Sequence, residues 1–123
     1  MSVDYRYRAY AETVHDGDTY HLRVDLGFNV AITIPVRLRG VDCPELPTES
    51  GKAATAFVTD LLSPANVRWD DINRRPTELI IQSYHDRQSF ARWVADVWMV
   101  VDGVEISLAQ RLLDAGHAVV MIR

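Results

Sequence analysis

Residues 20–26, YHLRVDL, alternate: Tyr20, Leu22, Val24 and Leu26 share one face, while His21, Arg23 and Asp25 share the other. That two-residue period predicts a half-buried strand. Val30, Ile32, Ile34, Val36 and Leu38 repeat it, with residues 27–29 as the hairpin connection. Pro35 has no N–H for a ladder hydrogen bond, so it is expected at an edge or a bulge. Upstream, residues 5–14 (YRYRAYAETV) are rich in Tyr and Val and predict a first strand.

The period then changes. In SGKAATAFVTDLL, Ala53, Ala54, Phe57, Val58, Leu61 and Leu62 recur at helical spacing, predicting an amphipathic helix with Ser50 as N-cap, ended by Ser63-Pro64. Residues 65–76 (ANVRWDDINRRP) are polar and broken, the pattern of an exposed loop. TELIIQSY and RWVADVWMVV predict two more strands, the second closing at Asp102-Gly103. A second helix is expected over residues 107–115, with Ser107 as N-cap and Gly116 as the stop. The order is three strands, helix, two strands, helix, with no repeat, low-complexity tract or linker. It predicts one domain over residues 1–123, mainly β with α: a five-stranded barrel of the OB type carrying two helices. A ferredoxin-like sandwich, the main competitor, needs its first helix directly after the first strand.

Composition narrows the functional classes. A chain of 123 residues suits one core. No apolar run is long enough to span a bilayer and the start, MSVDYRYR, is not a signal segment, so a cytoplasmic chain without membrane attachment is expected. The single Cys43 agrees with a reducing compartment. A net charge of −4 argues against a broad phosphate-gripping surface, but leaves room for a local pocket where two or three arginines converge.

Chemistry concentrates in two stretches. One is VHDGDTYHL, where Asp16 and Asp18 flank Gly17. The other is RLRGVDCPE, where Asp42 and Glu45 flank Cys43-Pro44 and Arg37 leads in from the strand. Read alone, DGDT is more often a turn that uses Asp and Gly for backbone reasons. Hairpin geometry, however, sets the start of one strand beside the end of the next, making Asp18 a neighbour of the 42–45 turn. Three acids so gathered repel one another unless a cation sits among them. Oxygen donors suit a hard divalent ion such as Ca²⁺, whereas zinc would need His or Cys partners at usable spacing. Arginines beside such an ion imply an anionic substrate, with phosphate the best match for planar guanidinium groups.

DGDT at 16–19, RLRGVDCPE at 37–45, the SGKAATAF helix, the strand led by Arg92 and LLDAGHA at 112–118 together resemble the staphylococcal nuclease (thermonuclease) family over residues 7–120. That resemblance implies a Ca²⁺-dependent phosphodiesterase that cleaves DNA and RNA with little sequence preference, breaking the 5′-oxygen–phosphorus bond and leaving 3′-phosphate ends. It implies Asp18, Asp42 and the backbone carbonyl of Cys43 as Ca²⁺ ligands. Glu45 would orient or deprotonate the attacking water, and Arg37 and Arg92 would bind the scissile phosphate. Asp16 and Thr19 would hold the turn or support the metal ligands from behind, without touching the ion.

The chain departs from the family in four places. Gln88-Ser89-Phe90-Ala91-Arg92 lacks the Asp and Gly that usually precede the second arginine. The 65–76 loop is longer, and its Trp69, Arg74 and Arg75 are candidates for nucleic-acid contact, although such a loop is usually only solvated. VVMIR offers no base-stacking tyrosines, and the sequence lacks the family's C-terminal helix, which leaves three expectations open: lower stability, a different packing, or a partner chain in a homo-oligomer or larger assembly. Cys43 and His117 read as packing groups. The rival function is a noncatalytic OB-type module that binds nucleic acid or protein.

Overall fold

The alternating stretches become strands whose apolar faces turn inward. The computed structural model describes residues 5–69, 73–84 and 93–121. The elements run β1 (Arg6–Asp16), β2 (Thr19–Asp25), β3 (Ala31–Leu38), β4 (Val41–Asp42), α1 (Glu49–Leu62), β5 (Leu79–Tyr84), β6 (Trp93–Val101), β7 (Val104–Ser107), α2 (Leu108–Asp114) and β8 (Val119–Val120). Antiparallel pairs join β1 to β2, β2 to β3, β1 to β5 and β5 to β6. A short parallel ladder, Val36↔Trp93 to Leu38↔Ala95, joins β3 to β6 and closes the barrel. The result is a five-stranded mixed barrel with two helices, the OB-type architecture expected. α1 enters only after β4, which excludes the ferredoxin-like order. None of the helices is long and apolar enough to cross a membrane, among the described residues.

The core is the barrel interior plus one face of each helix. Tyr20, Leu22 and Val24 of β2, Val36 and Leu38 of β3, Leu79 and Ile81 of β5 and Ala95, Val97 and Met99 of β6 are buried together. Val58 and Leu62 from α1 and Leu108 and Leu112 from α2 complete that cluster. Burying each large apolar side chain contributes about 1.5–3 kcal/mol. The inward pattern fails at one end: Leu26, Val30 and Ile32 are exposed although they continue the alternation. Alternation sets which face a residue takes, but burial needs a covering partner, and the ladder to β6 begins only at Val36. Pro35 sits one residue before that ladder, opposite His21 of β2, consistent with an edge position.

Boundaries differ from the expectation in places with clear causes. β1 runs to Asp16, not to residue 14, so Gly17 and Asp18 alone form the hairpin turn. α1 starts earlier than expected, and its N-cap is Thr48, not Ser50. The Thr48 hydroxyl accepts the Gly51 amide at 3.0 Å and donates to the Glu45 carbonyl at 2.6 Å, so the first-turn amide is already satisfied upstream of Ser50. Ser63 ends α1 in a left-handed conformation (φ 47°) ahead of Pro64. Ser107 caps α2 as expected, and beyond Gly116 (φ 77°) the His117 amide returns to the Leu112 carbonyl at 2.9 Å. The short strands β4, β7 and β8 carry too few residues to show a period in the sequence.

Candidate functional site

The site grows from the β1–β2 turn. The Asp16 carboxylate accepts the Asp18 amide at 3.1 Å, the local bond that makes Asp-Gly-Asp a good turn. The Tyr20 hydroxyl, fully buried, donates to the Gly17 carbonyl at 2.5 Å and ties the turn to the core. From the next strand, the Leu38 amide donates to the Asp18 carbonyl at 2.8 Å, and Thr19 pairs with Arg37. The turn is thus fastened to the end of β3. That is where Arg37 emerges.

Gly17 is required by space. A Cβ there would lie 2.7 Å from Cys43 Cβ, 2.8 Å from Cys43 Sγ and 3.1 Å from Ala54 Cβ. This close approach lets the Cys43 amide reach Asp18 Oδ2 at 3.0 Å. Arg37 Nη1 stands 3.2 Å from the same oxygen, while Thr19 Oγ1 donates to Oδ1 at 3.3 Å. Arg37 Nη2 pairs with Asp42 Oδ1 and reaches the Val41 carbonyl at 3.4 Å. One guanidinium therefore holds both carboxylates. The Arg37 and Asp18 side chains are about 10% exposed and that of Asp42 about half exposed, so the cluster runs from barrel wall to solvent.

Burial pushes the Asp18 carboxyl above its ordinary value, with Asp16 adding to the rise; the Cys43 amide and Arg37 oppose it. Burial, with Asp18 and Asp16 next to it, pushes the Cys43 thiol up to about 12, so this side chain is a neutral packing group. Burial also raises the Tyr20 hydroxyl well above the usual range, keeping it a donor.

Glu45 stands apart. It is exposed, and its backbone carbonyl anchors Thr48 through both the amide (3.2 Å) and the hydroxyl (2.6 Å). Gly51 packs against this carbonyl so closely that a Cβ would lie 2.3 Å from the oxygen, which fixes the Glu45 turn to the start of α1. Of the three acids expected to gather, the structure brings Asp18 and Asp42 together. No group of three or more His, Cys, Asp or Glu is placed to hold a metal ion among the described residues.

The two carboxylates meet on the Arg37 guanidinium beside the Cys43 backbone, so a positive group already pairs with both. Arg92 lies outside the described residues. In the loop, Arg74 is committed to α1: it donates to Ser63 Oγ at 2.7 Å and the Asp60 carbonyl at 2.6 Å, and lies 3.5 Å over the Trp69 ring. One face of Trp69 is therefore covered, and Arg75 remains exposed. His117 packs its ring 4.7 Å from that of Phe57.

Neither protein-family models nor curated proteins match this chain. Sequence reading missed the steric parts played by Gly17 and Gly51 and the hydroxyl anchor of Tyr20. Tyr20 had a legible signal, a tyrosine at an inward position directly after a turn; close backbone approach has none.

Proposed function

We propose that the chain is a Ca²⁺-dependent phosphodiesterase of the thermonuclease kind, hydrolysing DNA and RNA with little sequence preference. The observation that carries this reading is the convergence of Asp18 and Asp42 on Arg37 at one end of the barrel. Asp18, Asp42 and the Cys43 carbonyl would hold the ion, and a bound Ca²⁺ would supply Lewis acidity toward a phosphoryl oxygen. Arg37 then serves as the phosphate clamp: its planar fork matches two phosphoryl oxygens and offsets charge as the phosphorus gains a fifth ligand. Glu45, on the exposed turn beside Asp42, has solvent access to orient a water and take its proton. Arg92 is the second arginine of this reading. The family resemblance adds cleavage of the 5′-oxygen–phosphorus bond, and the single Cys43 agrees with a reducing, cytoplasmic setting.

A second reading, a noncatalytic OB-type binding module, draws on the same cluster. Arg37 is paired with both acids, as in a structural ion-pair network, and no group of three acids forms with Glu45 among the described residues. Incubating the full chain with single-stranded DNA in Ca²⁺, then in excess chelator, separates the two. Cleavage that stops on chelation and leaves 3′-phosphate ends supports the enzyme; retention of intact DNA under both conditions supports the module.

A further inference from the structure

A groove of about 670 Å³ crosses the outer face of β1 and β2, away from the acids that Arg37 holds. Its size falls within the roughly 300–1,000 Å³ of ligand clefts. We propose that this groove seats one nucleotide unit of a single strand, with the base on Tyr10 and the adjoining phosphate on Arg23. The role rests on the nucleic-acid part of the proposed function and not on its metal.

The groove is built before any ligand arrives. Tyr10 and Arg23 are cross-strand partners in the β1–β2 register, so their side chains stand side by side on the sheet. Ala9 and Ala11 are buried on either side of Tyr10, which turns the tyrosine outward. One border is the segment after α1, where the Ala65 and Asn66 amides donate to the Ala11 and Glu12 carbonyls at 2.9 and 3.0 Å. That fastening falls where the β1 register shifts, as a bulge interrupts the ladder. A second border is the β2–β3 hairpin. There the Asp25 carboxylate accepts the Gly27 amide at 2.8 Å, and the Leu26 amide donates to the Val30 carbonyl at 2.8 Å.

Charge and shape select the ligand. Among the described residues the Arg23 guanidinium has no hydrogen-bond or ion-pair partner, so its planar fork is open to a phosphate. Arg8, also lining the groove, faces Glu78 at 3.7 Å with side chains 75% and 51% exposed, a screened pair that opens at small cost. Asp25 and Glu78 offer acceptors to an exocyclic amine of a base and oppose a row of phosphates. The tyrosine ring accepts a base by stacking, whatever the sequence. One nucleotide therefore fits where a duplex, meeting a chain of net charge −4, does not. Position points to the same strand that Arg37 would hold. Arg23 lies on the outer face of β2 four residues beyond Thr19, the cross-strand partner of Arg37, a span of roughly 13 Å.

The test separates binding from cleavage. Fluorescein-labelled oligodeoxyadenylate is titrated with the full chain in excess chelator, and binding is read by anisotropy. Tyr10→Ala should weaken binding about fivefold to a hundredfold, the loss of one stacked base. Arg23→Gln should reduce the slope of log K against log salt by about 0.7, the loss of one phosphate contact, and Arg23→Lys should keep the parent slope. Parent affinity in a folded Tyr10→Ala, a parent slope in Arg23→Gln, or a parent that does not bind overturns the site. Arg23 is exposed, so its two variants decide the matter should Tyr10→Ala fail to fold. Adenosine monophosphate as competitor should bind about a hundredfold or more weakly than the strand, which has two contacts. Equal affinity would make the ligand a free nucleotide and overturn the strand assignment. Strand binding lost in these variants, with no cleavage by the parent in Ca²⁺, overturns the phosphodiesterase reading and upholds the groove.

Discussion

Gly17→Ala tests whether the turn is built by close approach or merely by turn propensity. No positive φ is required at Gly17, so alanine suits the backbone and, through the unfolded state alone, would stabilise by about 0.4–1 kcal/mol. The new methyl would lie 2.7 Å from Cys43 Cβ and 2.8 Å from its sulfur, with Ala54 Cβ at 3.1 Å behind. Overpacking at such a site costs about 1–3 kcal/mol. Moving Cys43 to relieve it loosens the amide bond to the Asp18 carboxylate, a charge-assisted bond worth about 1.5–3 kcal/mol. The net expectation is a loss of roughly 2–5 kcal/mol. Urea unfolding followed by circular dichroism should show the midpoint falling by about 1 M or more. The partner backgrounds make the test specific: Cys43→Gly removes both clashing atoms and should relieve most of the cost, whereas Cys43→Ala leaves the 2.7 Å clash and should relieve little. A neutral Gly17→Ala, or an equal cost in the Cys43→Gly background, would refute the packing argument.

Three further outcomes are expected. Arg37→Ala and Glu45→Ala should each lower DNA cleavage about 10²–10³-fold, read as initial rates on single-stranded DNA, and parental rates in either would remove that residue from the mechanism. The folded Asp18 carboxyl titrates above its ordinary 3.8, so the native state binds the extra proton and Asp18's contribution to stability falls as pH rises from 3.8 through the folded value. Urea stability measured against pH for the parent minus Asp18→Asn should carry that downward slope, and an upward slope would reverse the assignment. With its thiol pushed from 9.0 up to about 12, Cys43 should hold about a thousandfold less thiolate at neutral pH and label with iodoacetamide correspondingly more slowly when folded than in urea; equal rates would contradict its placement.

Much of the barrel was legible because its cause is local. The alternation in β2 names Tyr20, Leu22 and Val24 as inward, and all three are buried. Ser63-Pro64, Ser107 and Gly116 mark helix ends through backbone geometry that residue type alone dictates. Even the proximity of Asp18 to Arg37 follows from hairpin register. The N-cap at Thr48 was less legible, since Thr48 and Ser50 carry equivalent hydroxyls and only the path of the chain past Glu45 selects between them.

The amino-acid pattern by itself determined strand faces, helix stops and the pair of acidic turns, because those depend on neighbours a few residues apart. The tertiary structure alone decided what the acids face. Asp18 and Asp42 share one guanidinium because β3 carries Arg37 between two turns that Gly17 allows to touch, while the Glu45 carbonyl is fastened to the α1 cap. Such contacts join residues far apart in sequence through ångström-scale approach, and residue order records neither distance nor direction.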